Sequence, residues 1–134
     1  MAKLVYPKLS YKIVGILLKV HQELGPALLE KYYQRVIAEE LKSQQLDFNR
    51  EVTVDLTYDS KSIGKYYLDF VIENKIILEI KAQKQYQPKF FKQALAYLRQ
   101  TNLPLAIIAN FRKSSLECKR VVNPEFKEVD LSDD

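Results

Sequence analysis

Hydrophobic and polar positions along this chain repeat with two different periods, and the switches between them mark out the elements. From Ser10 to Leu24 the apolar positions are Ile13, Ile16, Leu17, Leu18, Val20 and Leu24, the spacing of a helix with one buried face. Gly25 and Pro26 then close it. A second helix is predicted from about Ala27 to Gln45, with Leu29, Tyr32, Tyr33, Val36, Ile37 and Leu41 inward. The period next falls to two. Over Phe48–Tyr58, Val52, Val54, Leu56 and Tyr58 alternate with Glu51, Thr53, Asp55 and Thr57, the pattern of a half-buried strand. After a turn at Asp59 to Ser62, strands are predicted from about Ile63 to Glu73 and from Lys75 to Ala82. A tight turn at Glu73, Asn74 and Lys75 joins them, because asparagine tolerates the positive φ such turns need. A polar connection from Gln83 leads to Pro88, which opens a third helix to about Gln100 with Phe91, Ala94, Leu95 and Leu98 on its core side. Leu103 to Ala109 is apolar throughout, as suits a strand covered on both faces by a parallel crossover. Leu116 to Val122 alternates again and reads as an edge strand. The pattern predicts one α/β domain over residues 1–122 and an acidic C-terminal tail, 123–134, expected to be mobile.

The hairpin from Tyr67 to Ala82 carries the chemistry. Alternation places Leu68, Phe70 and Ile72 on one face of its first strand and Tyr67, Asp69 and Val71 on the other. In its second strand Ile76, Leu78 and Ile80 oppose Ile77, Glu79 and Lys81. Symmetry about Asn74 pairs Ile72 with Ile76, Phe70 with Leu78 and Asp69 with Glu79. Like charges directly opposed across a strand pair repel, and the neighbours are apolar on both faces, so these carboxylates require partners. A hard divalent cation, Mg²⁺ or Mn²⁺, answers that need, since such ions take one or two carboxylates plus water and phosphate oxygens. Lys81 would stand beside it, able to stabilise a charged transition state or position a water. Taken alone, these three residues also suit a solvated strand face. Glu30 falls on the side of Tyr33 and Ile37 in the second helix, where it either faces the hairpin or serves the helix N-terminus. Gln93 and Tyr97, four apart, share a face of the third helix.

Composition narrows the field. With 47% hydrophobic residues and three glycines in 134 residues, the chain is globular. No apolar run approaches the length of a membrane span, and the first residues lack the apolar core of a signal peptide. The one cysteine, Cys118, excludes an internal disulfide and fits a cytoplasmic location. His21, the one histidine, has no second ligand nearby in sequence and reads as structural or solvent-facing. The net charge is +4, but residues 123–134 hold one lysine against five acidic side chains, net −4, which leaves a body of about +8. A polyanionic partner, nucleic acid, fits such a body.

The Asp69, Glu79 and Lys81 pattern resembles the active-site signature of the PD-(D/E)xK nuclease superfamily. The order of a helix, three antiparallel strands, a crossover helix and a strand is similar to its core. The run from Val20 to Tyr33 resembles the signature of the GxxExxY branch, with Ala27 standing where the branch has its first glycine. The likeness continues through Tyr67-Leu68-Asp69, Leu78 to Ala82, Gln93 to Leu98, Leu103 to Leu105, Asn110-Phe111 and Ser115 to Val122. Leu68 stands where many members have proline. The resemblance implies an α/β fold, a mixed central sheet flanked by helices. It implies a metal-dependent phosphodiesterase acting on DNA or RNA, with Mg²⁺ or Mn²⁺ held by Asp69, Glu79, Glu30 and the backbone carbonyl of Ile80. Lys81 would orient the attacking water, and Gln93 and Tyr97 would hold Lys81 or a substrate phosphate. A non-catalytic nucleic-acid-binding or protein-interaction module on the same fold is the alternative. So small a nuclease leaves room for a homo-oligomer or a partner protein in target choice.

Overall fold

A computed structural model describes residues 5–126. Its elements are α1 (Pro7–Leu24), α2 (Glu30–Ser43), β1 (Phe48–Tyr58), β2 (Lys61–Ile72), β3 (Ile76–Lys81), α3 (Pro88–Thr101), β4 (Leu105–Asn110) and β5 (Glu117–Val122). The five strands form one sheet in the order β1-β2-β3-β4-β5. β3 and β4 run parallel, joined through α3, and the other neighbours are antiparallel. Helices α1 and α2 pack on one face with Phe70, Ile72, Ile76, Leu78, Ile80, Leu105 and Ile107. On the other face α3 packs with Leu68, Val71, Ile77, Ala106, Ile108 and Val121. All six residues of β4 are buried, as a continuous apolar run between two helical layers should be. Among the described residues no helix is long and apolar enough to cross a membrane.

The helices depart from expectation at their ends and faces. α1 starts one turn earlier than Ser10, on Pro7, whose missing N–H costs nothing at a helix start. Gly25 caps it at φ 75°, a left-handed turn that glycine takes without strain. α2 starts at Glu30 and not at Ala27, because Leu29 is extended. The Tyr33 hydroxyl accepts from the Leu28 amide and donates to the Gly25 carbonyl, which pins the connection outside the helix. Leu29 and Tyr32, expected inward, are therefore exposed, and Tyr33, Ile37, Ala38 and Leu41 fill the core. α3 is likewise turned: Phe90, Ala94, Tyr97 and Leu98 face the sheet while Phe91 is exposed. The cause lies in its partners, since Tyr97 stacks on Tyr66 of β2 at 4.2 Å between ring centroids.

The hairpin turn follows the expected symmetry. Glu73 and Asn74 both take left-handed dihedrals, and Phe70 pairs with Leu78 and Ile72 with Ile76. The expected alternation holds in β3 but fails in β2. Leu68 packs with Val52, Val54 and Tyr66 on the α3 side, whereas Phe70 and Ile72 pack on the α1/α2 side. The faces exchange at Asp69. Opposite it, Glu51 has φ 53° and no ladder partner, although Arg50–Phe70 and Val52–Leu68 are paired on either side. A left-handed residue inside a strand re-aims the chain much as a bulge does, and here it lets the outer half of β1–β2 reach α3. The acidic tail beyond residue 126 lies outside the described residues. Up to that point the chain is tied down: the Asn123 side chain donates to the carbonyls of Leu98 and Leu103, and its oxygen accepts from the Glu125 amide.

Candidate active site

Asp69 and Glu79 meet where the β2–β3 ladder opens. The last ladder pair is Phe70–Leu78, and beyond it the two carboxylates take over the bonding of the backbone. The Asp69 amide donates to Glu79 Oε2 at 2.8 Å, and the Ile80 amide donates to Asp69 Oδ2 at 2.7 Å. Each side chain thus satisfies an N–H that the parted strands leave without a ladder partner, where a buried orphan would cost about 1–3 kcal/mol. The expected direct pairing of Asp69 with Glu79 is replaced by this reciprocal exchange, and the two acids still come together. Glu79 Oε1 accepts from the Tyr66 hydroxyl at 2.9 Å. Asp69 Oδ1 makes no hydrogen bond among the described residues.

The electrostatics are those of an acidic pair short of positive charge. Glu79 is 3% exposed, and burial together with the charge of Asp69 pushes its carboxyl up to about 7. Burial also raises the Asp69 carboxyl, and Glu30 adds to that rise, while the Ile80 amide, Lys81 and Arg50 pull the other way. Lys81 Nζ lies over the Phe90 ring at 4.9 Å and forms no ion pair among the described residues. Its charge lowers both carboxyls, so it stands within electrostatic reach of each. Glu30, the first residue of α2, accepts from the Ala82 amide at 3.1 Å. It therefore ties the start of the helix to the end of β3, one residue past Lys81.

Among the described residues no three His, Cys, Asp or Glu side chains gather closely enough to hold an ion by themselves. The donor set nonetheless fits a hard cation. It offers two carboxylates, with Asp69 Oδ1 making no hydrogen bond among the described residues, and mutual repulsion that a cation would relieve. Mg²⁺ commonly takes the rest of its shell from water and substrate phosphate.

The remaining expected residues divide. Tyr97 is buried and acts through Tyr66, on which it stacks. Gln93 is exposed and makes no hydrogen bond among the described residues. His21 is buried and structural, its Nε2 2.8 Å from the Lys113 carbonyl oxygen. Burial pushes the Cys118 thiol up to about 11, which leaves it an unreactive strand residue.

Sequence reasoning gave no role to Tyr66, Arg50 or Asn110, although Asn110 fell within the family likeness. Asn110 is 1% exposed and clamps the chain after β3, accepting from the Gln83 amide and donating to the Gln83 carbonyl. Its signals were a polar residue ending an apolar strand and its place in the family likeness. Tyr66 carried a fainter signal, an aromatic two residues before Leu68 on a strand otherwise facing a helix. A cavity of about 570 Å³ adjoins Glu30 and Ala82 rather than the carboxylate pair.

A mixed sheet with a parallel β3–β4 pair, helices on both faces and a paired-acid hairpin at its centre places the domain among the nuclease-type α/β folds. The sequence profile of the PD-(D/E)XK nuclease superfamily matches residues 7–121, and the chain belongs to that superfamily. The crystal structure of an alkaline exonuclease from Laribacter hongkongensis has a similar fold, with a TM-score of 0.51 at 12% identity. The likeness covers 93% of this chain and 73% of that one. No protein of curated function matches the sequence. Members of the superfamily generally use divalent metal ions.

Proposed function

We propose that the chain is a metal-dependent nuclease, hydrolysing phosphodiester bonds of DNA or RNA at the Asp69–Glu79 hairpin, in a cytoplasmic setting. The observation that carries this reading is the reciprocal bonding of a buried and a half-buried carboxylate, Glu79 and Asp69, at the opening of the β2–β3 ladder, with Lys81 in no ion pair among the described residues. A fold alone would not suffice, because one fold serves many functions. The Glu30–Tyr33 stretch and its links to Ala82 and Leu28 support placement in the GxxExxY branch. The catalytic unit is taken to be residues 1–122, with 123–126 as its closing turn.

Asp69 and Glu79, with the Ile80 carbonyl, would hold the ion, Mg²⁺ or Mn²⁺; Glu30, also expected in that shell, does not gather with them and is bonded to the Ala82 amide instead. When bound it supplies a Lewis acid that offsets charge on the phosphate and lowers the pKa of water. The chain's own residues do the positioning. The Asp69 amide and the Tyr66 hydroxyl fix both Glu79 oxygens, so the carboxylate is oriented before any ligand arrives. Lys81 holds the attacking water or the phosphate from the neighbouring strand position. Tyr97 braces Tyr66. Gln93, being exposed, is assigned to substrate phosphate rather than to Lys81.

The test is cleavage of labelled single- and double-stranded DNA and RNA with Mn²⁺, Mg²⁺ or chelator. The expected outcome is metal-dependent cleavage lost in Asp69→Asn. Salt-sensitive binding with no cleavage of any substrate would make the chain a non-catalytic nucleic-acid-binding module instead.

A further inference from the structure

We infer that the groove beside Glu30 and Ala82 seats one unpaired nucleotide, so that the strand presented to the hairpin is single-stranded or frayed. This rests on the nuclease reading above and adds to it the form of the substrate.

The groove is built from two rims that buried side chains hold in place. On one rim Leu28 and Leu29 precede α2, and Tyr33, fully buried, bonds the Leu28 amide. On the other, Gln83 and Arg112 are held by Asn110, whose side-chain oxygen accepts from both of their amides. The Glu30 carboxylate bridges the rims through the Ala82 amide. The walls are thus organised before a ligand arrives, which lowers the entropic cost of binding.

The lining matches a nucleotide in size and chemistry. The volume, about 570 Å³, lies in the range of pockets for single small ligands, about 300–1,000 Å³. Leu28 and Leu29 are exposed and offer an apolar wall to a base or sugar. Lys31 and Arg112 also line the groove, and neither forms an ion pair with a carboxylate among the described residues. Arg112, and Lys31 lying over the Tyr32 ring at 5.2 Å, both without an ion pair among the described residues, stand around an apolar wall and fit the alternation of base and phosphate along a strand. They fit a protein surface of mixed charge less well. A paired and stacked base cannot enter such a space until it leaves the duplex, and the groove opens one residue beyond Lys81.

The test follows backbone amide shifts of the isotope-labelled full chain, in chelator so that nothing is cleaved. The ligands are a short deoxythymidylate strand, the corresponding uridylate strand and a blunt duplex. The two single strands separate DNA from RNA. Shifts are expected at Leu28, Leu29, Lys31, Gln83 and Arg112, with the blunt duplex bound about tenfold more weakly. Arg112→Glu and Leu29→Asp, both at exposed positions, should each weaken single-strand binding about fivefold or more with an unchanged melting temperature. Shifts centred elsewhere, equal affinity for the duplex, or no response would overturn the inference. Cleavage by the unmodified chain is measured separately with Mn²⁺. Cleavage without groove shifts removes the groove and leaves the nuclease, whereas groove shifts without cleavage do the reverse.

Discussion

Between pH 4.5 and about 7 the Glu79 carboxyl of the folded chain keeps a proton that the unfolded chain releases, because burial and the neighbouring Asp69 raise its pKa from the ordinary 4.5. The native state then binds more protons than the unfolded one, so stability falls as pH rises through this window. The favourable contribution is fully present below 4.5 and lost above 7. Glu79→Gln should flatten that part of the stability–pH curve, read as melting temperature in chelator against the unsubstituted chain. A difference between the two proteins that does not change over the window would remove Glu79 as the titrating group. The same repulsion predicts the response to metal. Mg²⁺ or Mn²⁺ should raise the melting temperature at pH 8 by binding the folded state. Asp69→Asn should abolish the rise and leave the metal-free protein equal or more stable, since one half-buried charge beside Glu79 is gone. Lys81 differs in kind. It carries no ion pair among the described residues, so Lys81→Ala should cost little stability and little nucleic-acid affinity while cleavage falls at least about a hundredfold, as loss of a positioned catalytic group does. A proportional loss of affinity would place Lys81 in binding.

At the scale of elements, the connection from α1 to α2 matters because it sets where Glu30 stands. Tyr33 is fully buried, stacks on Phe111 at 4.4 Å and spends its hydroxyl on the Gly25 carbonyl and Leu28 amide. Tyr33→Phe keeps the stack and removes both hydrogen bonds, so a loss of about 1–2 kcal/mol is expected from denaturant unfolding at unchanged m. No loss would mean that water replaces the hydroxyl and that the connection is not pinned by it. Tyr33 also shows how far the elements can be read from sequence. Its helical spacing was plain, and so was its place on the inner face; its bond to a preceding loop has no periodic signature, and α2 was therefore expected to start three residues early. The hairpin was legible for the opposite reason, since Asn74 fixes the turn and the turn fixes the pairing of Ile72 with Ile76. The exchange of faces at Asp69 was not, because it depends on Glu51 of another strand adopting φ 53°. The orientation of α3 was set by Tyr66, which lies far before Tyr97 in the sequence and is silent in any local window. Residues whose placement is local to the hairpin were thus readable, whereas Gln93, placed by spacing and by the family likeness, lies exposed on α3.

For the molecule as a whole, charge distribution decides how it meets a polyanion. The net +4 of the chain combines a basic body with an acidic end. Affinity for nucleic acid should come mainly from phosphate contacts and fall linearly in log–log terms as salt rises. The acidic end should act against that affinity by long-range repulsion, which salt screens over about 10 Å at 0.1 M. The place to cut it is set by the described structure. Asn123 holds the turn between α3 and β4, and Glu125 pairs with Arg99 at 3.2 Å, so truncation at Asn123 would disturb the fold as well as the charge. Truncation after Phe126 removes one lysine and four acidic side chains, net −3, and leaves those contacts intact. The expected result is tighter binding of a single-stranded oligonucleotide at low salt, a difference that narrows at high salt, and a melting temperature within about a degree of the full chain. An affinity that is unchanged at low salt would show that the acidic end does not oppose binding. An affinity gain that persists at high salt would show instead that the end physically covers the binding surface, because screening removes repulsion but not occlusion.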